Sequence, residues 1–195
     1  MRVSDPESMA VIMANRNRRA RKGMLNVAGI EIERKEVLSD IDFDQLAELL
    51  VAIVDQGASV GYLPPLAMED AQAYWRAAIA SATTIVLVAR RDNDIVGTVQ
   101  LEWSPKKNAR HRAEINRLLV HPNAQRLGIG RLLMERLESI AVKNGWTTLH
   151  LDTREGDASN DFYQSQGWTL VGVIPQWAES ASGSRDGTVF YYKLL

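Results

Sequence analysis

The sequence predicts an α/β protein built on a mixed, mainly antiparallel sheet flanked by helices within a single domain, and three observations carry that expectation. Glu114 to Lys143 reads as a strand (EINRLLVH), a glycine-bearing loop, and a helix with Ile129, Leu133, Leu137, Ile140 and Ala141 at helical spacing. Short apolar runs at 84–90, 95–103, 111–121, 149–152, 168–174 and 189–194 are bounded by turn residues, as strands are. The chain has 195 residues with 46% hydrophobic content, enough for one well-cored unit.

Residues 1–28 lack periodicity and carry Arg16, Arg18, Arg19, Arg21 and Lys22, so a basic N-terminal tail is expected there and the folded domain over 29–195. Asp5, Glu7 and the lack of an apolar stretch argue against a signal peptide. Gly29 to Val37 alternates as a first strand. Ser39 and Asp40 offer N-caps for a helix with Phe43, Leu46, Leu50 and Val54 on its core face. Gly57 to Pro65 is rich in turn residues, and loops of this kind often set specificity. A second helix is expected over about 67–80, with Tyr74, Trp75, Ala78 and Ile79.

The runs at 84–90 and 95–103 form a hairpin around Asp92-Asn93-Asp94, and 111–121 is the next antiparallel partner. Gly145 stops the central helix, after which 149–152 returns beside 114–120 as the one parallel pair. A short helix is expected over 154–166, ended by Gly167. Closing strands at 168–174 and 189–194 flank a polar, Gly/Ser-rich loop at 175–187.

Composition narrows the function classes. A formal net charge of −1 gives no global attraction to nucleic acid or an anionic membrane. No uninterrupted apolar run approaches the roughly 20 residues of a membrane span, so a cytoplasmic protein is expected. The absence of cysteine excludes disulfides, thiolate metal sites and a cysteine acyl-enzyme. His111 and His121 are not spaced with carboxylates as a ligand set, and no metal is expected.

The loop Gln125-Arg126-Leu127-Gly128-Ile129-Gly130 is the chemically informative stretch. A glycine-bearing turn at a helix start exposes backbone N–H groups toward the positive end of the helix dipole, a seat for phosphate or pyrophosphate. A Walker loop needs Lys followed by Ser or Thr after its last glycine, whereas Arg131-Leu132 follow Gly130. A dinucleotide fingerprint needs a third glycine where Leu133 stands. The pattern that remains, Val120-His121-Pro122 followed by Gln125, Gly128 and Gly130, resembles the coenzyme A pyrophosphate loop of the GNAT acetyltransferases. The resemblance extends over Glu31 to Leu195 and is closest to the tabtoxin resistance acetyltransferase branch. It rests on Gly57 to Leu66 (GASVGYLPPL), Arg112 to Pro122 (RAEINRLLVHP), Leu149 to Thr153 (LHLDT) and Thr188 to Leu195 (TVFYYKLL).

That resemblance implies a GNAT-like fold and an N-acetyltransferase using acetyl-CoA as cosubstrate, with Leu119, Val120, Gln125, Arg126, Leu127, Gly128, Ile129, Gly130 and Arg131 at the coenzyme. Two positions depart from the family: Arg126 stands where glycine is frequent, and Gly156 where the family often has asparagine seven residues before the helix tyrosine.

Acetyl transfer to an amine also needs a proton acceptor for the amine and a proton for the departing thiolate. Asp152, at the end of the strand beside the coenzyme strand, and Glu114, which shares a strand face with Asn116, are the candidate bases. Tyr163 is the candidate acid, its phenol with a pKa of about 10 being close to a thiol at about 8.5; the competing reading makes Phe162-Tyr163 an aromatic core pair. His150 shares a strand face with Asp152, but a lone strand histidine is more often packed and hydrogen-bonded. Tyr62, Trp103 and Trp177 are candidate walls for the acceptor, a small-molecule amine resembling an amino acid, toxin or antibiotic. The composition leaves a homodimer open. A catalytically silent coenzyme-binding sensor is the alternative function.

Overall fold

The computed structural model describes residues 29–195; the basic tail expected over 1–28 lies outside the described residues. The elements are β1 (Ile30–Lys35), α1 (Asp40–Asp55), α2 (Met68–Ala80), β2 (Thr84–Arg91), β3 (Asp94–Trp103), β4 (Arg112–Val120), α3 (Ile129–Lys143), β5 (Thr148–Arg154), α4 (Ser159–Ser165), β6 (Thr169–Glu179) and β7 (Arg185–Leu194). The strands form one sheet in the order β1-β2-β3-β4-β5-β7-β6. Every neighbouring pair is antiparallel except β4 with β5, as the sequence leads one to expect.

α1 starts where the sequence supplies a cap. The Asp42 N–H donates to the Ser39 hydroxyl at 3.2 Å, and the Ser39 N–H donates to the Asp42 carboxylate at 3.2 Å, so two helix-start donors are satisfied reciprocally. Asp42 is buried and also pairs with Arg90 and, at 3.4 Å, with Lys35, tying α1 to β1 and β2. Leu46, Leu50 and Val54 face the core as expected, while Phe43 is only half-buried beneath the Arg76 guanidinium. Trp75 of α2 is fully buried, and its indole N–H donates to the Leu46 carbonyl at 2.8 Å. A ring of that size removes about 200 Å² from water, worth about 5 kcal/mol.

α1 and α2 cover one face of the sheet, packing on Val86, Val88 and Leu119. α3 packs on the other face against Leu87, Val99, Leu101, Ala113 and Ile115. Two irregularities in β4 break this layering. Thr98 pairs with Leu119 but Gln100 with Asn116, so Arg117 and Leu118 together oppose Val99, and Arg117 takes φ 52 in the resulting bulge. On its other edge β4 pairs with β5 only through Arg112, Ala113 and Glu114, opposite Thr148, Leu149 and His150. Beyond Glu114 that edge of β4 has no strand partner.

Two expected boundaries are corrected. The helix expected over 154–166 is confined to Ser159–Ser165, because Arg154 to Ala158 turn around Gly156 (φ 82) and an Arg154–Asp157 ion pair at 2.9 Å. The loop expected at 175–187 is mostly strand, with only residues 180–184 connecting β6 to β7. β6 is an edge strand, where the missing N–H of Pro175 forfeits no ladder bond, and a register shift between Ile174 and Ala178 absorbs the irregularity. Among the described residues no helix is long and apolar enough to cross a membrane.

Candidate active site

Where β4 and β5 part, a cavity of about 860 Å³ opens between the start of α3 and the residues after β5. Gly128 is the N-cap of α3, in the left-handed conformation (φ 78) that glycine adopts without penalty, and no side chain caps the helix. The first intrahelical bond from Leu132 N–H reaches the Gly128 carbonyl, so the N–H groups of Ile129, Gly130 and Arg131 have no helical acceptor. No acidic residue stands in this first turn, and Arg126 and Arg131 line the cavity beside it. The helix start therefore presents donors and positive charge, the requirements of an anion seat.

Arg126 takes φ 61, so the arginine holds the backbone conformation that glycine adopts freely at this position. A Cβ on Gly130 would meet Phe162 at 3.6 Å and Val120 at 3.9 Å, ordinary contacts, so packing does not demand glycine there. The Gln125 amide donates to the Val120 carbonyl at 3.3 Å and closes the loop onto β4. Leu119 and Val120 line the cavity with the unpartnered edge of β4. Leu127 points to solvent and adds only its backbone to the turn.

Asp152 and Tyr163 share this cavity. Asp152 stands at its exposed end, and its Oδ2 accepts a hydrogen bond from the Thr188 hydroxyl at 2.8 Å. The Tyr163 ring is buried among Phe162, Trp168 and Tyr191, with centroids 5.3, 6.1 and 6.0 Å away. It is thus a core residue and a cavity residue at once. Burial first, and the Asp152 charge second, push its phenol well above the ordinary tyrosine value, so the hydroxyl stays protonated. Trp177 also lines the cavity, exposed and edge-on to Phe190 at 5.7 Å. Tyr62 does not line the cavity, although Val60 and Gly61 before it do; its ring lies 6.1 Å from that of Tyr74.

Two more expected site residues lie elsewhere. Trp103 does not reach this cavity: it shares the core-facing side of β3 with Leu101 and stacks on Trp146 at 5.1 Å, because strand alternation turns it toward α3. Glu114 lines a separate cavity of about 210 Å³ with Glu102, Trp103, Arg112 and His150. Burial, then the charges of Asp152 and Glu102, raise the Glu114 carboxyl above its ordinary value against the opposing pull of Arg112. His150 is held below its ordinary value by burial and by Arg112, whose guanidinium lies 3.3 Å from its Nε2, with Asp152 opposing. It is therefore a neutral neighbour of the carboxylates. Among the described residues no group of three or more His, Cys, Asp or Glu side chains could hold a metal. Sequence reasoning missed Arg117 and Thr188, the first placed by a bulge without a local signal and the second at the edge of a stretch read as loop.

The GNAT acetyltransferase family model matches residues 43–168. An uncharacterised N-acetyltransferase of the hisH–hisA intergenic region of Azospirillum brasilense is 30% identical over 128 residues, spanning 65% of this chain and 76% of that protein. The ribosomal-protein-alanine N-acetyltransferase of Brucella melitensis superposes with a TM-score of 0.71 at 23% identity, covering 85% of this chain and 99% of that one. The yncA protein of Salmonella typhimurium, solved with its cofactor acetyl-CoA, superposes at 0.70 and 21% identity, covering 86% and 94%. At such identities these two likenesses are of fold alone.

Proposed function

The chain belongs to the GNAT acetyltransferase family, and we propose that residues 29–195 form a catalytic domain transferring an acetyl group from acetyl-CoA directly to the amine of a small molecule. One observation carries this reading: the uncapped start of α3, its flanking arginines, Asp152 and Tyr163 all line the same cavity. Acetyl-CoA supplies a thioester whose carbonyl carbon gains a C–N bond from the amine as its C–S bond breaks.

Each role then follows from position. The N–H groups of Ile129, Gly130 and Arg131, with the guanidinium groups of Arg126 and Arg131, hold the pyrophosphate. The unpartnered edge of β4 at Leu119 and Val120 offers main-chain donors to the carbonyl oxygen as charge develops there. Asp152 meets the amine and takes up its proton, and Glu114, in the neighbouring cavity with its raised proton affinity, is the other candidate base. Tyr163, held protonated, donates to the departing sulfur. Trp177 and the Val60-Gly61 segment before Tyr62 bound the acceptor. The resemblance to tabtoxin resistance proteins favours an amino-acid-like toxin or antibiotic as acceptor.

A turnover screen with acetyl-CoA over amines, including tabtoxinine-β-lactam and basic amino acids, tests the reading. Tyr163→Phe and Asp152→Asn should each lose on the order of 10²–10⁴ in rate while acetyl-CoA binding persists. Near-normal turnover in both folded variants would remove them from the chemistry, and tight acetyl-CoA binding without turnover on any amine would make the protein a sensor.

A further inference from the structure

The roles above leave one cation of the cavity wall without a task. Arg117 sits at the β4 bulge, and its guanidinium lies among the rings of the α1–α2 side, 4.9 Å from the Tyr74 centroid and 5.9 Å from that of Tyr62. A terminal nitrogen packs so closely on Gly61 that a Cβ there would lie 3.3 Å from it. Its Nε is buried without a hydrogen-bond partner, and among the described residues no carboxylate forms an ion pair with it. Gln100 adds a second orphan donor beside Tyr74: its Oε1 accepts from the Tyr74 hydroxyl at 2.7 Å, while its Nε2 is buried without an acceptor. Tyr74 offers no counter-charge, because burial raises its phenol despite the nearby guanidinium.

Arg117 is half-buried, and besides Tyr74, whose phenol it touches, its guanidinium has no anionic partner among the described residues, so an anion entering the cavity would complete it. Of the other cavity cations, one is paired within the protein and two stand at the proposed coenzyme seat. Arg154 pairs with Asp157 at 2.9 Å and Asp186 at 3.7 Å, and Arg126 and Arg131 flank the first turn of α3. Arg117 is clamped by Tyr62 and Tyr74, which pack on the α1–α2 side of the sheet, away from the core that holds α3. A pyrophosphate at the start of α3 is therefore not its natural partner.

We infer that Arg117 binds a carboxylate of the acceptor, which makes the acceptor an amino acid or a close relative carrying a carboxylate near its amine. This inference rests on the acetyltransferase reading. The planar guanidinium fork, fixed by two rings and a glycine, suits bidentate capture of a carboxylate. Asp152 supplies the opposite charge in the same cavity, so a zwitterion is held at both ends and its amine is directed to the carboxylate that deprotonates it.

The test uses matched pairs of L-methionine, L-phenylalanine and L-lysine with their carboxamides, measuring kcat/KM for acetyl-CoA consumption by the full chain. The acids should exceed the amides by about tenfold or more, the value of one charge-assisted contact. An amide has the less basic α-amine, so amine protonation alone would favour the opposite order. Arg117→Gln should erase the difference within each pair and Arg117→Lys restore part of it. Equal use of acid and amide by the native chain, or a preference that survives in Arg117→Gln, overturns the assignment. Should neither set be acetylated, saturation-transfer NMR on the acetyl-CoA-loaded protein separates the two ideas. Binding of the acids alone keeps the Arg117 site and rejects the transfer reading, whereas no discrimination rejects the site. If Arg117→Gln fails to fold, the acid–amide comparison on the native chain decides.

Discussion

Gly97→Ala tests how the sheet positions the coenzyme seat. Gly97 lies in β3 opposite Val120, under the start of α3. A Cβ added there would lie 3.0 Å from the Leu119 carbonyl oxygen, 3.2 Å from Ile129 Cγ2 and 3.3 Å from Leu133 Cδ1. The oxygen belongs to β4 and cannot move without its strand, and both side chains are fully buried in α3. The methyl must therefore push α3 outward, at a cost of about 1–3 kcal/mol for overpacking. For a domain of this size that lowers Tm by about 2–12 °C. Ile129 is the first residue of α3, so the same displacement tilts the seat; if about 1.4 kcal/mol of the strain reaches it, acetyl-CoA binds about tenfold more weakly. Scanning calorimetry and titration calorimetry read the two effects separately. Unchanged Tm together with unchanged affinity would refute the idea that β3 braces the helix at this point.

Because the Glu114 carboxyl is raised in the folded state, ionising it costs stability as pH climbs above the ordinary carboxylate range. Glu114→Gln should therefore raise Tm near neutral pH while slowing turnover; a lower Tm would reject the burial argument. Glu102→Gln removes a charge that raises Glu114, so the acid limb of the kcat/KM profile should move to lower pH, and an unmoved limb would uncouple the two. Asp42→Asn breaks a buried cluster with Arg90 and Lys35 and should cost about 3 kcal/mol in urea unfolding; a change within 0.5 kcal/mol, roughly the effect of a surface substitution, would show the cluster to be ornamental. Trp177→Ala should alter acceptor KM with little effect on acetyl-CoA affinity, and the reverse pattern would assign the ring to the coenzyme.

The elements legible from sequence were those whose signal is local. The apolar period of α3, the glycines before it and the Ser39 cap each depend on residues within a few positions, and each stands where expected. Arg117 and Trp103 show the other case. The bulge exists only in the pairing of β4 with β3, so nothing in Asn116-Arg117-Leu118 announces it, yet it redirects a charged side chain into the cavity. Trp103 reads as an apolar wall of the acceptor site until the alternation of β3 and the partner ring of Trp146 are known. Pro175, Gly183 and the surrounding serines read as loop because turn composition and a tolerant edge strand look alike when strand order is unknown. For Asp152 and Tyr163, strand and helix placement was enough to bring them to one cavity, whereas the placement of Glu114 in a second cavity was visible only in three dimensions.

The three-residue ladder between β4 and β5 makes the sheet a zipper fastened at one end. Past Glu114 the amide and carbonyl groups along that edge of β4 are rungs waiting for a counterpart, and coenzyme A carries amides along its flexible arm. Under the proposed function, a ligand of that kind would complete the zipper from within, so that its arrival would be a late step of sheet assembly as well as a binding event. Amide hydrogen exchange along residues 115–120 should then slow when acetyl-CoA is added, while the fastened end at residues 112–114 exchanges slowly throughout. Cohesion between the two halves of the molecule would in this way follow the supply of its own cosubstrate.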